Sequence, residues 1–163
     1  MHVPVVVDDL NLWWLACESF VGLTMLLLVL YWHGHWQLRI GLRFQRQHDR
    51  LSKQGRVNSV FFQFYISMVL LAAVHLGEIF LWGLSIFSLG LQDSLRKAIL
   101  LAGSTYTTVG FETDTMPQGW TLYPIFIAVS GLFSFAWTTA RMMGMSDLSR
   151  QEFLKKHKIP DEM

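Results

Sequence analysis

The sequence predicts an all-α membrane protein, with three transmembrane helices per subunit plus a short re-entrant helix and an extended loop. Three observations lead there. The 163-residue chain is 52% apolar and only 15% charged, where a soluble domain carries about a quarter charged residues. Its apolar residues cluster in three segments, roughly 10–32, 60–84 and 122–145, each near the ~20 helical residues that cross a hydrocarbon layer. Between the last two lies a fourth helical segment too short to cross, followed at once by polar, non-helical sequence.

The first unit is a transmembrane helix within 1–36. Asn11 is a plausible helix cap, and Trp13 and Trp14 at one end, with Tyr31, Trp32 and Trp36 at the other, form interfacial aromatic belts. It lacks the basic start of a cleaved signal, and Asp8 and Asp9 precede it instead. Glu18 is expected either near the outer headgroups or in a buried polar contact with a neighbouring helix. The next unit, 37–58, is a basic amphipathic linker helix. Arg39, Arg43, Arg46, Arg50 and Lys53 recur at steps of 4, 3, 4 and 3 and share one helical face. That face is either solvated or set against anionic lipid, with Leu38, Leu42 and Phe44 as apolar contacts. No Lys or Arg precedes Arg39, only Arg96 and Lys97 lie between the second and third spans, and five follow from Arg141 onward. Positive residues stay cytoplasmic. This bias places the N-terminus outside and both the 37–58 loop and the C-terminus inside.

The third unit is 59–145, with an outer helix at 59–86. His75 and Glu78 stand one turn apart there, a spacing that can place two metal ligands on one face. No third or fourth ligand is evident, so a buried His–Glu hydrogen bond or a polar contact behind the short helix is the expectation. His33 and His35 are assigned to the inner end of the first span and His75 and Glu78 to the outer half of the second, so the two pairs are not expected to converge. Cys17 is the single cysteine, which leaves no disulfide within a chain and no cysteine metal cluster.

Residues 93–106 form the short helix and 107–119 the polar return, before a full inner helix at 121–145 and a charged tail at 146–163. Irregular backbone at membrane depth is tolerated only where it is buried in protein or lines water. The return therefore implies a pore or cavity. A cation passing there needs its hydration water replaced by oxygens of fixed spacing. Gly110 permits the unusual dihedrals that turn successive carbonyls to one side, Thr108 adds a hydroxyl, and the short helix directs its negative C-terminal end at the ion. One chain supplies one strand; roughly 6–8 oxygens require four chains around an axis.

Thr107-Thr108-Val109-Gly110-Phe111 resembles the filter of tetrameric potassium channels. Asp114 and Pro117 resemble the acidic residue and proline that follow it in simple bacterial channels. The segment 130–140, with Gly131, then Ser134-Phe135, then Thr139-Ala140, resembles their inner helix. The resemblance covers roughly 60–145, leaving the first span and the basic linker outside it. It implies that Thr108, Val109, Gly110 and Phe111 coordinate ions, that Thr107 buttresses the loop, that Gly131 is a hinge, and that Leu132, Phe135 and Thr139 line the cavity below. It implies a homotetramer passing K+ passively, in a bacterial inner membrane, with no cofactor.

The sequence departs from that pattern at four places, one of them Phe111, which replaces a tyrosine and lacks the hydroxyl that tethers the filter from behind. Glu112 replaces the second filter glycine and puts a carboxylate ring at the outer mouth, which suits a non-selective channel passing Na+ or divalent cations. Leu100 and Leu101 stand where aromatic residues often form a cuff. Ser104 stands where a carboxylate often sits behind the filter, and Glu78 is expected to replace it. Arg141, near the inner mouth, is expected to snorkel to lipid or water. The same departures leave room for a non-conducting membrane interaction protein. No nucleophile motif or phosphate loop suggests an enzyme.

Overall fold

The computed structural model describes residues 12–111 and 116–157. They form four helices, α1 (Leu12–Lys53), α2 (Val57–Ser88), α3 (Leu95–Tyr106) and α4 (Tyr123–His157), with no strand among the described residues. α1, α2 and α4 are long and apolar enough to cross a membrane, as in a multi-pass membrane protein. Phe20, Leu27, Val69, Leu76 and Phe133 remain exposed on their outer faces, which suits lipid as the surrounding medium.

α1 is one 42-residue helix. The expected boundary between a span and a linker helix at 36/37 is not a break. Sequence periodicity gives the reason: Val29, His33, Gln37, Ile40, Phe44, His48 and Leu51 form one buried stripe at steps of three and four. The stripe packs on α2 and α4 of the same chain. The basic residues Arg39, Arg43, Arg46, Arg50 and Lys53 face outward and are exposed. Phe44 is instead buried against the second helix's Leu71 and the fourth helix's Met145.

α1 and α2 close into an antiparallel hairpin at Gly55. Its left-handed φ of 67° terminates α1 in a Schellman motif, with Gly55 N–H donating to the Ser52 carbonyl and Arg56 N–H to that of Leu51. Gly90, φ 70°, ends α2 in the same way through Phe87 and Ile86. α3 then turns back along α2. A Cβ on Gly83 would lie 2.9 Å from the Ile99 Cα, so glycine there lets α3 approach closely. At 12 residues α3 is about 18 Å long, and it stops level with His75 and Glu78, midway along α2. The Ser94 hydroxyl caps its start by accepting from Lys97 N–H.

α4 starts on a cap supplied by α1. The buried Glu18 carboxylate accepts from Leu122 N–H and, at 2.8 Å, from Tyr123 N–H. This settles the two expectations for Glu18 in favour of the buried contact: a carboxylate suits the positive end of a helix. α4 runs on to His157, well past the expected end of the inner helix at 145. Its extension pairs with the basic half of α1, where Ser52 donates to Glu152 at 2.7 Å and His48 Nε2 lies 3.3 Å from the Leu148 carbonyl. The Ser52 hydroxyl, and then Lys155, hold the Glu152 carboxyl below its ordinary range. Arg141 lies against Gly41 of α1, directed at the neighbouring helix and not simply outward.

Two apolar clusters fill the bundle. One contains Val29, Trp82, Ile86, Ala98, Leu101, Tyr123 and Ile127. The other contains Ile40, Phe44, Leu71, Val74 and Met145. A polar layer lies between them, at the C-terminus of α3.

Candidate functional site

The polar layer is built from all four helices. Tyr106, the last residue of α3, donates its phenol proton to Glu78 Oε2 at 2.6 Å. His75 Nδ1 lies 2.8 Å from the same phenol oxygen. His75 Nε2 lies 3.0 Å from Thr138 Oγ1 on α4, and that hydroxyl is 3.3 Å from His33 Nε2 on α1. His33 Nδ1 completes the circuit at 2.6 Å from Glu78 Oε1. Five side chains therefore make a closed ring of five hydrogen bonds. All are buried, with His33 and Glu78 at 0% exposure.

Counting protons shows how the apolar interior holds a carboxyl group. The phenol, the hydroxyl, two neutral imidazoles and one carboxylic acid carry one proton each. A complement of one proton on each would fill all five links and leave the ring without net charge. The circuit is satisfied with the donors pointing either way round it, and the His33–Glu78 proton can sit on either partner, since hydrogen positions and tautomers are not fixed by heavy atoms. Such directional circuits strengthen cooperatively. Gln37 Nε2 approaches Thr138 Oγ1 at 3.5 Å from outside, and Gln37 Oε1 is buried without a partner among the described residues.

The convergence of His33 with His75 and Glu78 corrects the expectation that they lie at different depths. Gly55, at the hairpin turn, stands 22 residues after His33 and 23 before Glu78. Equal arms of an antiparallel hairpin bring those two residues level. The expectation counted His33 from the end of an apolar run, but the helix continues to Lys53. Three potential metal ligands, His33, His75 and Glu78, thus come together, where sequence alone offered two. Glu78 also occupies the place behind the short helix that Ser104 leaves without a carboxylate. Thr138, Gln37 and Tyr106 carried no signal beyond their types; the equal spacing about Gly55 was the readable clue to His33.

Directly after Tyr106 the chain leaves the core. Thr107, Thr108, Val109, Gly110 and Phe111 are exposed, Val109 at 65% and Phe111 at 59%. The segment opens as a helix-ending turn in place of the expected extended loop. Thr108 N–H donates to the Thr105 carbonyl, and Val109 and Gly110 N–H both donate to that of Ser104, at 3.0 and 3.2 Å. Thr107 ties its own hydroxyl to the Gly103 carbonyl at 2.7 Å. In a planar trans peptide the carbonyl of one residue opposes the N–H of the next. Since three successive amides point back into α3, the carbonyls of Thr107, Thr108 and Val109 all point away from it.

This geometry puts Thr108 in the left-handed region, at φ 57°, the position that Gly55 and Gly90 fill at the other two helix ends. A β-branched residue there is a genuine outlier, strained by roughly 1–2 kcal/mol. Gly110 returns to the same region at φ 67°.

No family model, curated protein or solved structure matches this chain.

The remaining expected site residues fall into three groups. Leu132, Phe135 and Thr139 share an exposed face of α4, with Leu132 at 60% exposure. Gly131 is buried against α3, where a Cβ would lie 2.1 Å from the Tyr106 carbonyl oxygen; close approach is a sufficient reason for glycine there. Glu112 and Asp114 lie outside the described residues. Leu100 is partly exposed and Leu101 buried in the first cluster.

Proposed function

We propose that this chain is one subunit of a homotetrameric cation channel, potassium-preferring, in which the turn at Thr107–Phe111 from each subunit faces a shared axis. The observation that carries this reading is the carbonyl direction. Three consecutive peptide oxygens point away from α3 at its negative end, an arrangement that attracts cations and replaces hydration water. The strain at Thr108 adds support, since an outlier held at a surface turn marks a place where function opposes local preference. The similarity of 107–111 to the potassium-channel filter agrees with it.

α3 then acts as a pore helix entering from one side and stopping at half depth. The exposed face of Leu132, Phe135 and Thr139 lines the cavity below, and the ring at Glu78 holds the pore helix from behind. Five exposed cations on α1 face the cytoplasm or its anionic lipid. Purified protein in liposomes tests this directly: potassium flux exceeding sodium flux is expected. No flux under any condition sinks the reading. Equal flux of the two ions favours the non-selective alternative that Glu112 motivates, and Glu112→Gly then restores potassium preference.

A further inference from the structure

We propose that the buried ring is also a binding site for one divalent cation of the zinc class, held by His33 Nδ1, His75 Nδ1 and the Glu78 carboxylate, with the Tyr106 phenol oxygen as fourth donor. One ligand atom from each of His33, His75 and Glu78 lies within 4.8 Å of the others. The Tyr106 oxygen is 2.6 Å from Glu78 Oε2 and 2.8 Å from His75 Nδ1. Donor atoms around a tetrahedral zinc stand about 3.3 Å apart, given bonds of about 2.0–2.1 Å. The hydrogen-bonded pairs therefore widen by roughly 0.5–0.7 Å, and ligand atoms now up to 4.8 Å apart draw in, to admit the ion.

The orientation of the imidazoles is the independent support. Both Nδ1 atoms point toward the carboxylate and phenol, and both Nε2 atoms point toward one oxygen, Thr138 Oγ1. Metal-ligating histidines characteristically donate their second ring N–H to a fixed oxygen, which sets the tautomer. Thr138 has two lone pairs to accept both N–H groups. Its own proton then needs an acceptor, and Gln37, whose buried Oε1 lacks a partner among the described residues, is the neighbouring amide. Two imidazoles and two oxygens suit a borderline cation such as zinc. His75 and Thr138 border an open groove of about 400 Å³ also lined by Phe135, Thr139 and Met142.

Binding balances by proton release. The metal-free ring holds five protons. The loaded site keeps three, on His33 Nε2, His75 Nε2 and Thr138. The proton of the His33–Glu78 link and that of the phenol leave to solvent. The dication, carboxylate and phenolate then sum to zero charge, as an apolar interior requires.

The test uses the full, tag-free chain in detergent micelles and Co2+ as a coloured probe, with no readout from ion conduction. Expected are one saturable Co2+ per chain, the intense visible bands of a tetrahedral site, two protons released per ion in weakly buffered solution, and loss of colour with one equivalent of Zn2+. Tyr106→Phe should reduce the release to one proton per ion. His75→Gln should abolish the bands, while His35→Gln, on the exposed side of α1, should leave them intact. Weak, pale six-coordinate binding to the unmodified chain, no saturable binding, or bands that disappear with His35→Gln but persist with His75→Gln would each overturn the proposal. The unmodified chain decides the matter even if a variant misfolds.

Discussion

Tyr106 and Thr107 are adjacent in sequence and opposite in character. At Tyr106 the polar groups close on one another: a ring of five bonds from four helices, buried between two apolar clusters. From Thr107 onward the chain is exposed, and two residues after Tyr106 the β-branched Thr108 sits in a backbone region suited to glycine. The difference teaches how strain is supported. A turn with unfavourable dihedrals holds when the residue before it is fixed from several directions. Here the phenol is fixed by α2, and the backbone carbonyl of Tyr106 is pressed against Gly131 of α4.

The sharpest way to break this comparison is to remove the ring's carboxyl group. Glu78→Ala leaves His33 Nδ1 unpaired in the core and the Tyr106 phenol with His75 alone. The expected cost is about 1–3 kcal/mol, the range for leaving a buried polar group unsatisfied, read as reduced resistance to denaturant in micelles. A cost under about 1 kcal/mol would show that the ring is not the support. Gly131→Ala attacks the other side. A Cβ 2.1 Å from a backbone oxygen forces α3 and α4 apart, with an expected loss of about 1–3 kcal/mol and loss of flux. Gly144→Ala, where a Cβ meets nothing within 4 Å, is its neutral control.

Thr108→Gly tests the exposed half and has the opposite sign. Relief of the left-handed strain should raise stability by about 1 kcal/mol, while flux or selectivity falls because the turn gains freedom. A stabilised variant with unchanged flux would separate the strain from function. Glu18→Ala should cost about 1 kcal/mol, as loss of a helix cap does, read as reduced resistance to denaturant. The smallest effect concerns Glu152. Its lowered carboxyl pKa stabilises the α1–α4 pairing at pH values above the ordinary 4.5. That contribution is lost as pH falls through the folded value. Protease resistance of the segment ending at His157 should therefore decline on acidification, and Ser52→Ala should weaken the dependence, leaving the part that Lys155 supplies.

Much of the architecture was legible because the signals are local. Three apolar runs, the charged step after Trp36, the short helix at 93–106 and the polar turn after it are all read within windows of about 20 residues. The close pairing of Glu78 with the short helix was legible as an expectation once Ser104 was seen to lack a carboxylate. The continuity of α1 through Gln37 was obscured because composition changes there while the buried stripe does not. Glu18 left two readings open, since nothing near it in sequence names Leu122 as its partner.

The sequence by itself determined which segments are helical and apolar, and that a polar stretch follows a helix too short to cross a membrane. Only the tertiary structure decided that His33, His75, Glu78, Tyr106 and Thr138 form one ring. The physical reason is range. Helix formation and burial preference are set by neighbours three or four residues away, whereas the ring spans 105 residues between His33 and Thr138 and exists only where hairpin register and helix crossing bring equal depths together.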